Sequence, residues 1–137
     1  MKKILTQKAP KPAGHYSQAI IYNDLVYVSG QLPIDPITGE KRIASIEEQT
    51  EQALKNVAAI LKAAGSDINH VIKTTVYISD IELWDRINAV YANFFGEHRP
   101  ARVVVPTKNL HYGFQIEIEA IAALIQALDR VKNCDTL

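Results

Sequence analysis

The chain has 137 residues, close to the commonest length of a single domain, and leaves no room for a second hydrophobic core. Its 15 Lys and Arg residues balance its 15 Asp and Glu residues, so it lacks the net positive charge typical of nucleic-acid binders. The single cysteine, Cys134, excludes an internal disulfide and a zinc site built on several thiolates, and no apolar run reaches membrane-spanning length. One soluble domain in a reducing, cytoplasmic setting is expected.

The first predicted element is a β-hairpin. Residues 17–21 and 25–29 are strand-like in composition, and Asn23 and Asp24 between them suit a tight turn. The next stretch, residues 30–39, contains two glycines and two prolines, which disfavour both a helix and a central strand. We expect an ordered loop there.

Helical periodicity begins at Ile46. From this position apolar residues recur at spacings of three and four and define one helical face: Ile46, Ala53, Leu54, Val57, Ile60, Leu61 and Ala64. Ser45 and Glu48 have the spacing of a capping box, and Gly65 suits the C-terminal end. The pattern predicts a long amphipathic helix.

A strand and a second helix are predicted next. Residues 70–78 are dense in β-branched side chains, and Asp80 is placed to cap a following helix. The buried face of that helix is predicted to consist of Ile81, Trp84, Ile87, Tyr91 and Phe94. Gly96 and Pro100 are predicted to end it.

Two further β-like runs cover residues 101–105 and 115–122 and are expected to pair as antiparallel neighbours. In that arrangement Arg102 and Glu117 lie roughly opposite each other. Residues 124–137 alternate less clearly, and suit either an extension of the last strand or a short helix.

The number of elements bears on assembly. Two helices can cover only one face of a sheet of five or six strands. Because apolar side chains fall on both parities of residues 73–78, the other face is not purely polar. We expect a homo-oligomer that buries this face; the alternative is a monomer with a mixed surface.

Familiar catalytic motifs are absent, including nucleotide-binding glycine loops, the zinc-protease motif and the nucleophile elbow. The four histidines share no metal-ligand spacing, and Cys134 has no neighbouring histidine. Neither a metal site nor a reactive thiol is favoured.

The remaining candidates are charges inside apolar strands. Arg102 precedes three valines, and Glu117 and Glu119 interrupt a run of isoleucines. Burying such charges costs free energy unless they are paired with an opposite charge or serve to bind a ligand. They form either an ordinary cross-strand salt bridge, which is the simpler reading, or a site in which Arg102 grips a ligand carboxylate and Glu117 positions water.

Several short motifs occur in a fixed order along residues 3–123. They are GHYSQA at 14–19, VSGQLP at 28–33, KTTVY at 73–77, INAVY at 87–91, PAR at 100–102 and IEIEAIA at 116–122. Together they resemble the reactive intermediate deaminase family, also called the Rid or YjgF family. Several motifs in order are more specific than any one of them.

The resemblance implies an α+β, chorismate-mutase-like fold of the bacterial type: one mixed six-stranded sheet backed by two helices. It also implies a homotrimer with a central barrel and ligand clefts between subunits. Residues 1–123 would form the single domain, and residues 124–137 an extension of unknown role.

The activity implied by the resemblance is hydrolysis of reactive enamines and imines to 2-oxo acids and ammonia. The substrates would be 2-aminoacrylate, 2-iminopropanoate and 2-iminobutanoate, so the partners are a small imino or enamino acid and further copies of the chain. No metal and no cofactor is implied, and neither nucleic acid nor a membrane is expected.

The resemblance assigns a role to each residue of the site. Arg102 would bind the substrate carboxylate in a bidentate manner, which suits the planar guanidinium. Glu117 would position or deprotonate the attacking water, with the hydroxyls of Ser29 and Tyr16 beside the imine and at the mouth of the cleft. Substrate binding would also involve Val104, Asn88, which shapes the site, and Gly30, which is expected to serve a backbone turn. Glu119 is expected to be structural.

Three departures from the family pattern leave the substrate open. Val104 stands where a cysteine is common, the loop over residues 106–113 lacks the common Leu-Pro pattern, and His15 stands where proline is frequent. Changes of pocket size and polarity alter specificity, so a related deaminase acting on a substrate such as 2-aminomuconate is an alternative. A regulatory or RNA-binding module of the translation-inhibitor or endoribonuclease type is a second alternative, and a trimer with a vestigial cleft is a third.

Overall fold

The computed structural model of the protein describes residues 1–41 and 43–134. Its strands are β1 (Lys2–Ile4), β2 (Ala19–Tyr22), β3 (Leu25–Gln31), β4 (Val71–Ile78), β5 (Ala101–Pro106) and β6 (Ile116–Ala123). Its helices are α1 (Ile46–Ala64), α2 (Trp84–Phe95) and α3 (Ile125–Cys134). The strands form one six-stranded sheet in the order β1-β2-β3-β6-β4-β5, in which only β4 and β5 are parallel.

The predicted hairpin is confirmed as β2 and β3. Tyr22 pairs with Leu25, so the turn consists of Asn23 and Asp24, with φ of 48° and 66°. Two adjacent residues in the left-handed region match the twist of the flanking strands, and Asn and Asp tolerate it well. β3 extends two residues further than expected, to Gln31, so the irregular loop begins only at Leu32.

The long amphipathic helix is confirmed as α1. The Ser45 hydroxyl accepts a hydrogen bond from the Glu48 amide at 3.2 Å, and Gly65 ends the helix with φ of 89°. All seven residues of the predicted apolar face are buried. The capping side chain and the left-handed glycine therefore delimit the helix as the sequence predicted.

The second helix begins later than predicted. Asp80 accepts from the Glu82 amide at 2.9 Å, but it caps a 3₁₀ turn over Ile81–Leu83 that leads into α2. Ile81 is consequently about half exposed, and the predicted place of Ile81 in the buried face is wrong. The tighter turn rotates Ile81 away from the buried residues Ile87, Tyr91 and Phe95.

The expected pairing of the last two strands is wrong. β4 lies between β5 and β6, because α2 carries the chain from β4 to a parallel neighbour and β6 then inserts between β3 and β4. Arg102 pairs in register with Thr74, whereas Glu117 pairs with Tyr77. Since Thr74 and Tyr77 are an odd number of residues apart on β4, Arg102 and Glu117 lie on opposite faces of the sheet.

The two faces of the sheet differ in cover. The buried face carries Val76, Ile78, Ile116 and Ile118 against the helices. The other face, called here the open face, has a mixed composition: Tyr27, Lys73, Thr75, Tyr77, Val103, Glu119 and Ile121. Tyr27 and Val103 are more than 40% exposed, which agrees with the expectation that the described part of one chain leaves this face uncovered.

The sequence left residues 124–137 open between a longer last strand and a short helix, and residues 125–134 form a helix, α3. Residues 135–137 lie outside the described residues. The Arg130 guanidinium donates to the Asp24 carboxylate at 2.6 Å, and the Ile125 amide donates to the Gly65 carbonyl at 3.1 Å. No side chain of α3 is buried. Within the described ranges, no helix is long and apolar enough to cross a membrane.

Candidate active site

Glu117 lies on β6 beside the backbone of Gly30 on β3. A Cβ added at Gly30 would collide with the Glu117 carboxylate, whose carboxyl carbon is 3.1 Å from that position. Gly30 is not among the residues with positive φ, so no backbone turn requires a glycine there. The expected turn role of Gly30 is wrong: the glycine is required by the close approach of a carboxyl group.

The environment of Glu117 favours its protonated form. Partial burial raises the pKa of the carboxyl above its usual value, and the nearby charge of Glu119 raises it further. The positive charge of His111 acts in the opposite direction. Glu119 accepts a hydrogen bond from the Tyr77 hydroxyl at 3.2 Å, which agrees with a structural role.

The hydroxyl of Ser29 is already committed as a donor. Its Oγ donates to the Ser17 carbonyl at 2.6 Å, so its lone pairs face the remaining space as acceptors. Ser29 can therefore accept a further hydrogen bond but has no second proton to donate.

Tyr16 has the complementary arrangement. Its hydroxyl accepts from the Ala13 amide at 3.3 Å, which leaves the phenolic O–H available as a donor, and the residue is 51% exposed. The loop that carries Tyr16 is held by the buried Gln18, which bonds the backbone of Thr6 through both ends of its amide and also donates to the Pro10 carbonyl.

Arg102 lies at the other face, beneath α2. Its guanidinium donates to the Asn88 side-chain oxygen at 2.9 Å. The guanidinium carbon is 4.7 Å from the ring centroid of Tyr91 and 5.5 Å from that of Trp84. Tyr91 is itself fixed by a buried 2.7 Å hydrogen bond with Thr74. Two aromatic faces and an amide thus hold the guanidinium in place.

No carboxylate within the described residues forms an ion pair with Arg102. The guanidinium instead borders a cavity of about 550 Å³ that Asn88, Tyr91, Phe95 and Arg99 also line. Val104 follows Arg102 on the same side of β5 and packs against the core. A half-buried cation without a counter-ion is equipped to bind an anionic ligand.

The site residues named from the sequence therefore form two groups. The first group, called here the Glu117 half-site, consists of Tyr16, Ser29, Gly30 and Glu117. The second group, called the Arg102 half-site, consists of Asn88, Arg102 and Val104. The sheet separates them, so one chain does not bring the arginine and the glutamate to one ligand.

Three contributors to these half-sites were not assigned a site role from the sequence. Tyr91 was predicted only as part of a buried face, yet the Arg102 guanidinium packs over its ring. Gln18 and His111 were also missed as contributors. Of these three residues, only Gln18 had a signal in the sequence that could have indicated its role: it is a polar residue directly before the apolar Ala19 and Ile20. In the part of the chain that is described, no cluster of three His, Cys, Asp or Glu side chains is arranged to hold a metal ion.

The mixed sheet, with α1 and α2 on one face and polar side chains on both faces, makes this a small α+β protein. The sequence model described as Endoribonuclease L-PSP matches residues 6–124. The chain belongs to this family, the YjgF or Rid family.

Its relatives include proteins with several names. A RutC family protein of Pyrococcus horikoshii is 50% identical over 123 residues, covering 89% of this chain and 98% of the relative. The 2-iminobutanoate/2-iminopropanoate deaminase of Rattus norvegicus is 45% identical over 121 residues, covering 88% of each chain. The crystal structure of Escherichia coli TdcF with bound serine is 41% identical, with a TM-score of 0.86, and the match covers 90% of this chain and 98% of TdcF.

Proposed function

We propose that the protein hydrolyses small 2-imino and 2-enamino acids, of the 2-iminopropanoate and 2-iminobutanoate type, to 2-oxo acids and ammonia. The observation that carries this proposal is the Arg102 guanidinium, held by Asn88 and two aromatic rings and left without a carboxylate partner in the described part of the chain. Such a group suits the carboxylate that every 2-imino acid carries.

The names of relatives support the same substrate class. The rat relative is a 2-iminobutanoate/2-iminopropanoate deaminase, and TdcF holds serine, a small amino acid with a carboxylate. Family membership alone is compatible with other activities, so the proposal rests on the chemistry of the two half-sites.

The separation of the half-sites supports an active unit of several copies. Arg102 lies on β5, the edge strand, and Glu117 lies on the open face, whose mixed side chains are suited to burial against another copy. We propose a homotrimer in which the Arg102 half-site of one copy faces the Glu117 half-site of the next. A closed ring of identical contacts supplies one complete site at each interface.

The proposed mechanism uses few groups because an iminium carbon is already electrophilic. Arg102 binds the carboxylate and orients the substrate, and the Ser29 oxygen accepts a hydrogen bond from the imine nitrogen. The Glu117 carboxylate takes a proton from water as the water oxygen bonds to the imine carbon. A proton then moves to the nitrogen, the C–N bond breaks, and a 2-oxo acid and ammonia leave.

Coupled turnover tests this proposal. A pyridoxal-phosphate dehydratase generates the imine, and formation of the 2-oxo acid is followed with and without the protein. We expect wild type to accelerate the reaction and Arg102→Ala to lower kcat/KM by about 10²-fold or more, because a bidentate charged contact is lost. Arg102→Lys should recover only part of this loss.

Arg130→Ala is the matched control, since it removes an exposed arginine on α3 that pairs with Asp24. It should leave turnover unchanged. A wild type that does not accelerate formation of the 2-oxo acid, with native circular dichroism, would overturn the deaminase proposal.

A second candidate is RNA cleavage, favoured by the description of the matching family as Endoribonuclease L-PSP. Incubation with labelled single-stranded RNA tests it, with Glu117→Gln and Arg102→Ala as site variants. Cleavage that persists through rigorous purification and is lost in both variants would support this second function.

A further inference from the structure

The cavity beside Arg102 is bordered by a second arginine, Arg99. Both residues line the same space of about 550 Å³, together with Asn88 and His98. The described residues that line this cavity include no aspartate and no glutamate. The two guanidinium groups therefore give the cavity a positive potential, which attracts anions.

The loop that carries Arg99 is anchored on both sides. Gly96 ends α2 with φ of 63°, and the His98 Nε2 then donates to the Val71 carbonyl at 2.7 Å. On the other side, β5 begins directly after Pro100. Because Arg99 lies between a ring fixed by a hydrogen bond and a paired strand, its backbone has a defined position relative to the cavity.

The spacing of the two arginines suits one short ligand. The residue before a proline prefers extended backbone, and the proline ring fixes its own φ. Residues 99–102 therefore run extended into β5, which separates the Cα atoms of Arg99 and Arg102 by about 9 to 10 Å. Two long side chains that start this far apart and border one cavity can hold opposite ends of a small molecule.

Neither arginine has a carboxylate partner in the part of the chain that the structure describes. Arg102 donates to the neutral amide of Asn88, and Arg99 is exposed without pairing to Glu97, only two residues away. Two like charges at one cavity repel each other, and a bound anion between them removes this repulsion. Guanidinium groups bind carboxylates well because their planar forks match the carboxylate geometry.

The cavity is also larger than the smallest substrates of the proposed function require. Pockets of about 300 to 1,000 Å³ hold drug-sized molecules. The single carboxylate of 2-iminobutanoate binds Arg102, and the methyl group at its other end offers nothing to a second guanidinium. A carboxylate in place of that methyl group fills more of the cavity and can bind Arg99.

We propose that Arg99 is a second carboxylate-binding residue of the Arg102 half-site, and that the protein hydrolyses 2-imino dicarboxylates, with 2-iminosuccinate as the four-carbon example. This inference rests on the proposed function, because water attacks the same imine carbon. The water oxygen bonds to that carbon, its protons reach the nitrogen, and the C–N bond breaks. The products are a 2-oxo dicarboxylate and ammonia, with no change of oxidation state and no other reactant.

A matched pair of substrates tests the inference. The carbon chains of 2-iminosuccinate and 2-iminobutanoate are equally long, and the two molecules differ only in a terminal carboxylate or methyl group. An aspartate oxidase releases the first from aspartate, and an amino-acid oxidase releases the second from 2-aminobutanoate, with catalase present to remove hydrogen peroxide. Formation of the 2-oxo acid is followed with and without the protein. The quantity compared is the specificity ratio, which is kcat/KM for 2-iminosuccinate divided by kcat/KM for 2-iminobutanoate.

Arg99→Gln should lower the specificity ratio about tenfold or more, because a charge-assisted contact to only one of the two substrates is lost. The loss should appear mainly as a higher KM for 2-iminosuccinate, since the second carboxylate is bound equally before and during the reaction. Arg99→Lys keeps the charge and should retain part of the ratio. The matched control is Arg130→Gln, which removes an exposed arginine that pairs with Asp24 on the surface and should leave the ratio unchanged.

A binding measurement without turnover accompanies the kinetics. In titration calorimetry, wild type should bind succinate more tightly than butanoate, and Arg99→Gln should lose about tenfold or more of this preference. Equal affinities of wild type for the two acids would overturn the inference. So would an unchanged specificity ratio in Arg99→Gln.

The two proposals fail in different ways. A wild type that hydrolyses 2-iminobutanoate but not 2-iminosuccinate would overturn the inference and leave the proposed function intact. A wild type that hydrolyses neither would overturn the proposed function and, with it, the dicarboxylate activity. The succinate titration would then still decide whether Arg99 binds a second carboxylate.

Discussion

At the scale of single residues, the most informative side chain is Glu117, because its environment opposes its proposed role. Burial and Glu119 favour the protonated carboxyl, whereas attack by water requires the carboxylate. The same raised pKa has a consequence for stability. The pKa of this carboxyl is higher in the folded state than in the unfolded state, so the folded state binds the proton more tightly. Its contribution to the free energy of unfolding therefore decreases as the pH rises from the unfolded-state pKa through the folded-state pKa.

Glu117→Gln should therefore separate activity from stability. We expect kcat to fall by about 10² to 10⁴-fold, because the general base is lost. The melting temperature at neutral pH should stay unchanged or rise, since the variant no longer holds a partly buried charge. Wild-type turnover should fall as pH decreases through the raised pKa of the carboxyl. Calorimetry and steady-state kinetics check these outcomes; a destabilised variant would contradict the electrostatic account.

Gly30 is the second informative residue, because its surroundings leave no room for a side chain. In Gly30→Ala the added methyl group meets the Glu117 carboxylate, which must move. We expect turnover to drop about tenfold or more, because small displacements of a catalytic group are costly. The matched variant is Gly30→Ala with Glu117→Asp, in which the shorter acid makes room and the melting temperature should recover while turnover stays low. Full activity in Gly30→Ala would show that the close contact is not needed.

At the scale of elements, α3 differs from the other helices. α1 and α2 bury one face each, whereas no side chain of α3 is buried. The matched family region also ends at residue 124, just before α3 begins. The helix is attached through Arg130, Asp24 and the Gly65 carbonyl, which are surface contacts.

Deletion of residues 125–137 should accordingly leave the domain folded and active. Exposed ion pairs contribute about 1 kcal/mol or less, so the free energy of unfolding should change little. Chemical denaturation and coupled turnover provide the measurement. A large loss of stability would mean that α3 belongs to the domain, which would contradict the predicted boundary after residue 123.

At the scale of the whole molecule, the separation of the two half-sites makes assembly testable through function. If Arg102 of one copy faces Glu117 of another, inactive Arg102→Ala and Glu117→Gln proteins can complement each other. Random mixing of equal amounts leaves both native residues at about a quarter of the interfaces. We expect that fraction of wild-type turnover after co-refolding, and about a hundredth of wild-type turnover or less when either variant is refolded alone.

Light scattering supplies the independent check on mass. A trimer should be observed for wild type and for the mixture at micromolar concentration. A mass of one protomer would contradict the assembly, and a mixture without activity despite a trimeric mass would place each site within one chain.

Much of the fold was predictable because its signals are local. The turn at Asn23 and Asp24, the Ser45 cap and the Gly65 end each depend on residues close in sequence. The position of Ile81 was mispredicted because periodicity does not distinguish a 3₁₀ turn from the first turn of α2.

The sequence by itself determined the β2–β3 hairpin, the helix α1 with its apolar face, and the identities of the charged candidates, since these depend on short-range sterics and periodicity. Only the tertiary structure decided that β4 separates β5 from β6, and hence that Arg102 and Glu117 lie on opposite faces. The same holds for the close approach of Gly30 to the Glu117 carboxylate. Strand order and the approach of distant side chains arise from long-range packing of whole elements, and no local pattern in the chain encodes them.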